Sequence, residues 1–370
     1  MARLRAKIAR APLPHALGYR MPAEWEPHEA TWLAWPHEKT DWPGKFEPIP
    51  WVYADIVRTL ARVERVRILV RDAAMKRQVR EILKKSEVNL AAVDFYLVPT
   101  DRGWIRDFGP IFVEDAEGDT AITNWRFNGW AKYDNWRRDD AATSKLLPRL
   151  KCTAWEPMYR ERRVVLEGGS IDVNGLGTML TTEECLLSKV QERNPSFARE
   201  EYAEVFRDYL GVTNVLWLNR GIAGDDTHGH VDDLARFVDP TTVVAVVEDD
   251  PADLNYEPLQ ENVARLKKMK DQDGRPLSVD TLPMPRPVYF ERQRLPASYA
   301  NFYIANGIVL VPTFNDPNDR IALNKLAALF PDRKIIPIAC RDLVLGLGTI
   351  HCMTQQQPRT AGVPAGIRRA

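Results

Sequence analysis

Asn301–Ile338, NFYIANGIVLVPTFNDPNDRIALNKLAALFPDRKIIPI, holds two short β-rich runs at Asn301–Ile304 and Ile308–Val311. A helical period follows over Arg320–Phe330, and a third β-rich run closes the segment at Lys334–Ile338. Working outward, helical spacing fits Trp51–Glu64, Ala73–Lys84, Asp140–Leu150, Ser196–Leu210 and Asp253–Met269. Strand patterns fit Val66–Val70, Val93–Val98, Ile111–Val113, Thr120–Trp125, Thr178–Thr181, Asn214–Leu218 and Thr242–Val247. Strands therefore come two or three to a helix. A simple parallel βαβ sheet or a TIM barrel would alternate one for one. The pattern predicts an α/β protein of repeated units, each mixing a hairpin with one helix. A faint echo agrees with repetition: several strands run into acidic loops, at Asp72, Asp101, Asp225, Asp316 and Asp342.

No Gly/Ser-rich or low-complexity stretch interrupts the 370 residues, so one compact domain over residues 21–370 is expected. Residues 1–20 are basic and lack the apolar run of about 7–15 residues that a secretory signal needs, so they read as a poorly ordered extension. Fifty-one Lys+Arg balance fifty-one Asp+Glu. That balance argues against nucleic-acid and membrane partners, which select a basic excess. No window approaches the roughly 18 apolar residues of a spanning helix. Cys152, Cys185, Cys340 and Cys352 form no CxxC pair, and reduced thiols in a cytoplasm are the expectation.

Four polar clusters could carry chemistry: Gly103–Pro110, Leu166–Ser170, Gly224–Asp233 and Gly346–Thr354. The third contains HGHVDD. It fits a metal-dependent hydrolase, a turn built by Asp caps, or a metal-free catalytic His230 charge-balanced by Asp232. On a strand, His230 and Asp232 would face the same side. Cys352 follows Gly346 and Gly348, which allow close backbone approach, and it fits either a buried apolar residue or a nucleophile. Asp107 and Glu167 each fit a structural turn. Taken with Asp232 they suggest a multi-carboxylate site, and buried carboxylates need a cation to offset their repulsion and desolvation. If that cation is not a metal, a planar guanidinium suits bidentate pairing. A Cys, a His and guanidinium-binding carboxylates together favour attack on a guanidinium carbon.

These clusters, with MPAEWEPHEATWLAWPH at Met21–His37, RNP at Arg193–Pro195 and IHCMTQQQP at Ile350–Pro358, resemble the agmatine deiminase family and the related Porphyromonas-type peptidylarginine deiminases over nearly the whole chain. The resemblance implies a pentein fold, an α/β-propeller of five ββαβ-type units around a central channel. It implies a C–N hydrolase without metal or organic cofactor, acting on agmatine, with peptidyl arginine as the alternative substrate. It implies Cys352 as nucleophile, His230 as acid/base, Asp107 and Asp232 as the guanidinium clamp, and Glu167 as the group orienting His and substrate. Trp104 would pack on the substrate's alkyl chain and Asp226 would lie near its distal end. Homo-oligomers are common in the family. The chain departs from the family's GGGNIHC run at Leu347 and Thr349.

Overall fold

In the computed structural model, which describes residues 12–361, Tyr303–Ala305 pairs antiparallel with Ile308–Thr313. The Asn306-Gly307 turn joins them, and Gly307 takes φ +70°, which costs a residue without Cβ little. Helix Asn318–Leu329 then crosses over to Lys334–Ala339, which lies parallel to Ile308–Thr313. Parallel neighbours need such a crossover because no tight turn can link them.

Four other sheets repeat this wiring. Ala235–Phe237 is antiparallel to Thr242–Val247, and Ser278–Pro283 returns parallel after helix Tyr256–Leu266. Asp172–Val173, Thr178–Thr182, helix Arg199–Leu210 and Asn214–Leu218 form the next. Ile111–Glu114, Thr120–Thr123, helix Ala142–Leu150 and Ala154–Trp155 form another. The fifth joins the two ends of the chain: Gln355–Pro358 is antiparallel to His28–Ala34, and Arg65–Val70 returns parallel after helix Ile49–Leu60. Helix Ala73–Lys85 adds Val93–Leu97 to its edge. The expected two-to-one mixture of strands and helices is thus present, as mixed sheets.

The helices sit where their apolar stripes require. Ile49–Leu60 buries Ile49, Tyr53, Ile56, Val57 and Leu60, the three-and-four spacing of one helical face. Several strands lie outside the expected runs, among them His28–Ala34, Asp172–Val173, Ala235–Phe237, Ser278–Pro283 and Gln355–Pro358. Gln355–Pro358 is wholly polar in its glutamines yet buried. Each of its glutamines bonds internally: Gln357 accepts from Trp32 Nε1 at 2.9 Å, Gln356 accepts from Arg106 Nη1 at 2.7 Å, and Gln355 donates to Pro110 O at 3.1 Å, its own Oε1 being buried without a partner. Apolar periodicity cannot register a strand stabilised that way.

The expectation of a poorly ordered extension fails over residues 12–20. His15–Leu17 form a 3-10 turn, Trp155 Nε1 donates to Pro12 O at 3.1 Å, and the Arg20 guanidinium bridges Glu26 and Glu114 at 2.7 Å each. Residues 1–11 and 362–370 lie outside the described residues. The helix start expected near Ser196 falls at Arg199, with the Glu201 carboxylate accepting from Ala198 N–H.

Glu24 ties the units together from beneath. Its carboxylate meets Arg236 Nη2 at 2.9 Å, Arg106 Nη2 at 3.2 Å and His351 Nε2 at 2.8 Å, and it accepts from Ile304 N at 2.8 Å. Burial pushes this carboxyl up, but Arg236, His351 and Arg106 outweigh that and hold it well below the usual range. Removing one partner of a buried charge network strands the others. Glu24→Ala should therefore lower unfolding free energy by about 3–5 kcal/mol, read as a lower urea midpoint with an unchanged slope.

Candidate active site

The segment just before the first strand of each unit faces a common point. Asp107 lies in the short helix Ile105–Phe108, before Ile111. Glu167 precedes the 3-10 turn Gly168–Ser170, before Asp172. His230 and Asp232 flank the start of the turn Val231–Asp233, before Ala235. Asn301 precedes Tyr303, and Cys352 precedes Gln355. His230 and Asp232 are not on a strand as the spacing suggested; the turn directs both inward instead.

All of these residues are buried. His230 Nδ1 is 3.7 Å from Asp107 Oδ1, and its Nε2 is 3.6 Å from Glu167 Oε2. Neither ring nitrogen has a hydrogen-bond partner. Glu167 is clamped by Arg193 Nε at 3.1 and 3.2 Å. Asp107 accepts from Gly169 N at 3.1 Å and from Trp130 Nε1 at 2.9 Å. Asp232 Oδ2 accepts from His351 Nδ1 at 2.7 Å and lies 3.7 Å from Cys352 Sγ, while its Oδ1 is buried without a partner. The Asn301 amide stands 3.1 Å from the same sulfur.

Gly169 is dictated by this crowding. A Cβ there would lie 2.5 Å from His230 Nδ1, 2.9 Å from Asp107 Oδ1 and 3.1 Å from Asp232 Oδ2. Gly348 likewise makes room for the Cys352 side chain, its Cβ position lying 3.1 Å from Sγ.

The charges are unevenly matched. Burial raises the Asp107 carboxyl to about 6; His230 opposes the rise, while Asp232 and Glu167 add to it. Burial also raises Asp232 and Glu167, but His351 and His230 bring Asp232 below its ordinary value, and Arg193 and His230 do so for Glu167. Burial disfavours charge on His230, yet Asp107, Cys185 and Glu167 hold its pKa well above the free imidazole value. Burial, then Asp232, Asp233 and Asp107, push the Cys352 thiol well up. Without a ligand, the centre pairs a neutral thiol with an imidazolium among carboxylates.

A cavity of about 390 Å³ opens above Cys352. Trp104 and Leu347 stand on its wall, and Asp41, Asp226 and Glu291 give it an acidic side. Trp104 rests against Trp42 with centroids 5.3 Å apart and donates to Asp41 at 3.0 Å. Asp226 accepts from Tyr133 Oη at 2.6 Å and pairs with Lys132. Leu347 takes a left-handed φ of +67°, and Thr349 is buried away from the cavity against Asn301.

The expected residues thus converge, but HGHVDD divides. His228 Nε2 bonds to Ser188 Oγ at 3.0 Å, and Asp225 builds the turn by accepting from Gly229 N and His230 N. Among the described residues, the groups of at least three ligand atoms close enough to share an ion are Glu167/Cys185/His230 and Asp232/Asp233/Cys352. Neither contains His228, so the two histidines do not form one metal centre. Sequence reasoning missed Glu24, Asn301 and His351 as members of the site. The position of His351 beside Cys352 and the clustered NFYIAN run were the available signals.

A family model described as Porphyromonas-type peptidyl-arginine deiminase matches residues 20–358. The chain is 36% identical to an agmatine deiminase of Ectopseudomonas mendocina (strain ymp), over 94% of this chain and 98% of the relative. A structure of the agmatine deiminase of Enterococcus faecalis superposes with TM-score 0.87 at 33% identity, covering 95% of this chain and 98% of that one. A Cys-to-Ser variant of the C. jejuni agmatine deiminase with substrate bound superposes with TM-score 0.82 at 32% identity, covering 92% and 97%. An amidinotransferase from Microseira wollei shares the fold alone, with TM-score 0.50 at 11% identity over 93% of this chain and 98% of that one.

Inserting a methyl group into a packed, polar contact of this kind costs about 1–3 kcal/mol. Gly169→Ala should lower the unfolding free energy by that amount, read as a lower urea midpoint at unchanged slope. Its crystal structure should show the His230 ring displaced from between Asp107 and Glu167.

Proposed function

Because this chain belongs to the Porphyromonas-type peptidyl-arginine deiminase family, we propose that it is an agmatine deiminase, hydrolysing agmatine to N-carbamoylputrescine and ammonia. The observation that carries the reading is the set of buried carboxylates around Cys352 and His230, with Asp232 Oδ1 unpartnered and a second acidic group at Asp226 on the cavity wall. Agmatine is cationic at both ends. Its guanidinium fits between Asp107 and Asp232, its chain fits along Trp104, and its ammonium fits the acidic wall of Asp41, Asp226 and Glu291, where Asp226 also accepts from Tyr133 and pairs with Lys132. Arg102, on the cavity wall, is already paired with Asp41 and Asn135, which leaves it poorly placed to receive the carboxylate of free arginine.

The chemistry follows from the charge mismatch. The arriving guanidinium offsets Asp107 and Asp232 and so favours loss of the Cys352 proton to solvent through the cavity. The thiolate attacks the guanidinium carbon. Protonated His230, oriented by Glu167, gives its proton to the departing nitrogen, which leaves as ammonia, and an S-alkylthiouronium remains. Neutral His230 then takes a proton from water. The resulting hydroxide adds to the same carbon, the C–S bond breaks with Cys352 departing as thiolate, and the added hydroxyl loses its proton to solvent to leave the neutral ureido group. No cofactor enters the scheme.

We extend the proposal to the architecture and setting. The five like-wired units stand around one axis as a propeller, within a single catalytic domain over 21–370. The enzyme self-associates in the cytoplasm and has no nucleic-acid or membrane partner. The family name and the substrate of the C. jejuni relative support the chemistry.

The test is release of ammonia and ureido product from agmatine, arginine and a blocked arginine peptide, assayed in parallel with EDTA present. Turnover of agmatine alone is expected. Turnover of the peptide alone would move the function to protein citrullination. Cys352→Ala should abolish turnover and retain agmatine binding by calorimetry. Asp107→Asn should lower kcat/KM by about 100-fold or more. Since the clamp works as a carboxylate, and the Asp107 proton returns at about 6, kcat/KM of the wild type should fall as pH drops through that value. An ordinary carboxylate would hold the rate down to about pH 4.

A further inference from the structure

The Arg193-Asn194-Pro195 run walls a second cavity of about 580 Å³, larger than the cavity of about 390 Å³ above Cys352, and the two share no lining residue. One side of it is rigid. Arg126 N–H donates to Val164 O at 3.0 Å, and the Asn194 amide pairs with both backbone groups of Val165, at 2.8 and 2.9 Å. Val164 and Val165 are buried, and the half-buried Phe197 ring packs edge-on to Tyr159 and Tyr202, with centroids 5.1 and 5.0 Å apart. Val164, Val165 and Phe197 give the cavity an apolar base. The other side is a hairpin, Met158–Tyr159 paired antiparallel with Arg162–Arg163. A hairpin of the same build, Tyr289–Phe290 with Gln293–Arg294, walls the catalytic cavity. The tip residues Arg160 and Glu161 both take positive φ, 45° and 67°, in a turn that ordinarily selects Asn-Gly. Charge is thus held at this edge at a cost in local stability.

The charges on this wall do not balance. Arg193 is spent on Glu167 through Nε and on Gln191 O and Thr227 O through its other nitrogens. Arg163 faces Asp140 at 3.7 Å and donates to Asn124 O and Trp125 O. Arg126 rests over the Trp136 ring at 5.7 Å, and Arg162 stands exposed on its strand; among the described residues neither has a carboxylate within ion-pair distance. Of the acids on the wall, Asp140 is matched by Arg163, which leaves Glu161 alone against two guanidinium groups. We infer that this cavity is a binding site for a small organic anion, a carboxylate or phosphate head on an apolar body, with Arg126 and Arg162 holding the head. A guanidinium presents a planar fork of donors that matches either head group, and unpaired guanidinium groups are free to turn that fork to a ligand. The apolar base takes the body. The catalytic cavity has the opposite character, with Asp41, Asp226 and Glu291 on its wall, so the two cavities select ligands of opposite charge.

The experiment titrates the full-length protein with phenyl phosphate and with benzoate, following the probe by saturation-transfer NMR. At least one of the two should bind, and silence from both up to about 10 mM would overturn the inference. Arg126→Ala and Arg162→Ala should each raise its Kd by about tenfold or more, the loss expected when a charge-assisted hydrogen bond is removed. Glu161→Gln should act the other way and tighten binding a few-fold, because it removes the opposing charge. Two further probes separate head from body. Benzyl alcohol has the body without the charge, and inorganic phosphate has the charge without the body; each should bind about tenfold more weakly or worse. Affinity unchanged in both arginine variants would place the probe elsewhere and overturn the site, as would weaker binding to Glu161→Gln. Benzyl alcohol or inorganic phosphate binding as tightly as the organic anion would overturn the ligand class. All three side chains are exposed, so the variants should fold, and an unchanged urea midpoint checks that they do. Nothing in the titration requires turnover, so the result stands apart from the substrate proposed for Cys352.

Discussion

The buried carboxylate of Glu24 is the constraint on which the site's geometry depends. It comes from the first described turns of the chain, yet its partners lie in four other segments: Arg106, Arg236, Ile304 and His351. Each partner sits next to, or a few residues from, a group in the cavity floor. Arg106 precedes Asp107, Arg236 follows Asp232, Ile304 follows Asn301, and His351 precedes Cys352. One buried anion thus sets the spacing of four loops by charge-assisted bonds, which are directional where apolar packing is not. Gln356, reaching Arg106, and Asp172, reaching Arg236, extend the same lattice.

Above that lattice the electrostatics are left incomplete. Glu24 is matched by Arg236, His351 and Arg106, and Glu167 by Arg193 and His230. Asp107, on the cavity wall, has the His230 imidazole beside it; Asp232 has His351, His230 and Arg236 around it, yet its Oδ1 has no partner. A planar cation would complete both. Burial and these carboxylates push the Cys352 thiol up, and on the proposed reading a guanidinium substrate would offset the carboxylates, linking binding to activation of the sulfur. This is physically economical, because a permanently formed thiolate beside three carboxylates would be repelled by all of them.

Much of the scaffold was legible along the chain. Runs such as Ile308–Thr313 and Thr242–Val247 are β-branched and buried, and helices such as Ala73–Lys85 carry a clear apolar stripe. The strand Gln355–Pro358 was not legible, because hydrogen bonding rather than burial of apolar surface stabilises its side chains. Nor was His28–Ala34, whose pairing strand comes from the opposite end of the chain. In the site, Cys352, His230, Asp107, Asp232 and Glu167 stood out by residue type and glycine-rich setting. Asn301 and Glu24 did not, since an Asn before a strand and a Glu two residues after a Pro are ordinary locally.

Residue chemistry and local pattern by themselves pointed to the class of fold, the hairpin-plus-helix unit and the pool of reactive side chains, while the family was legible through the resemblance of its motifs. These follow from interactions over a few residues, where apolar period and turn chemistry act directly. Tertiary structure alone decided which members of that pool meet. It separated His228 from His230, turned Thr349 away from the cavity and put Leu347 on its wall. It also brought the Asn301 amide to the Cys352 sulfur across fifty-one positions of sequence. The physical reason is distance along the chain: such contacts exist only once four distant segments are held in register by a shared buried charge, and no local periodicity encodes that charge's partners.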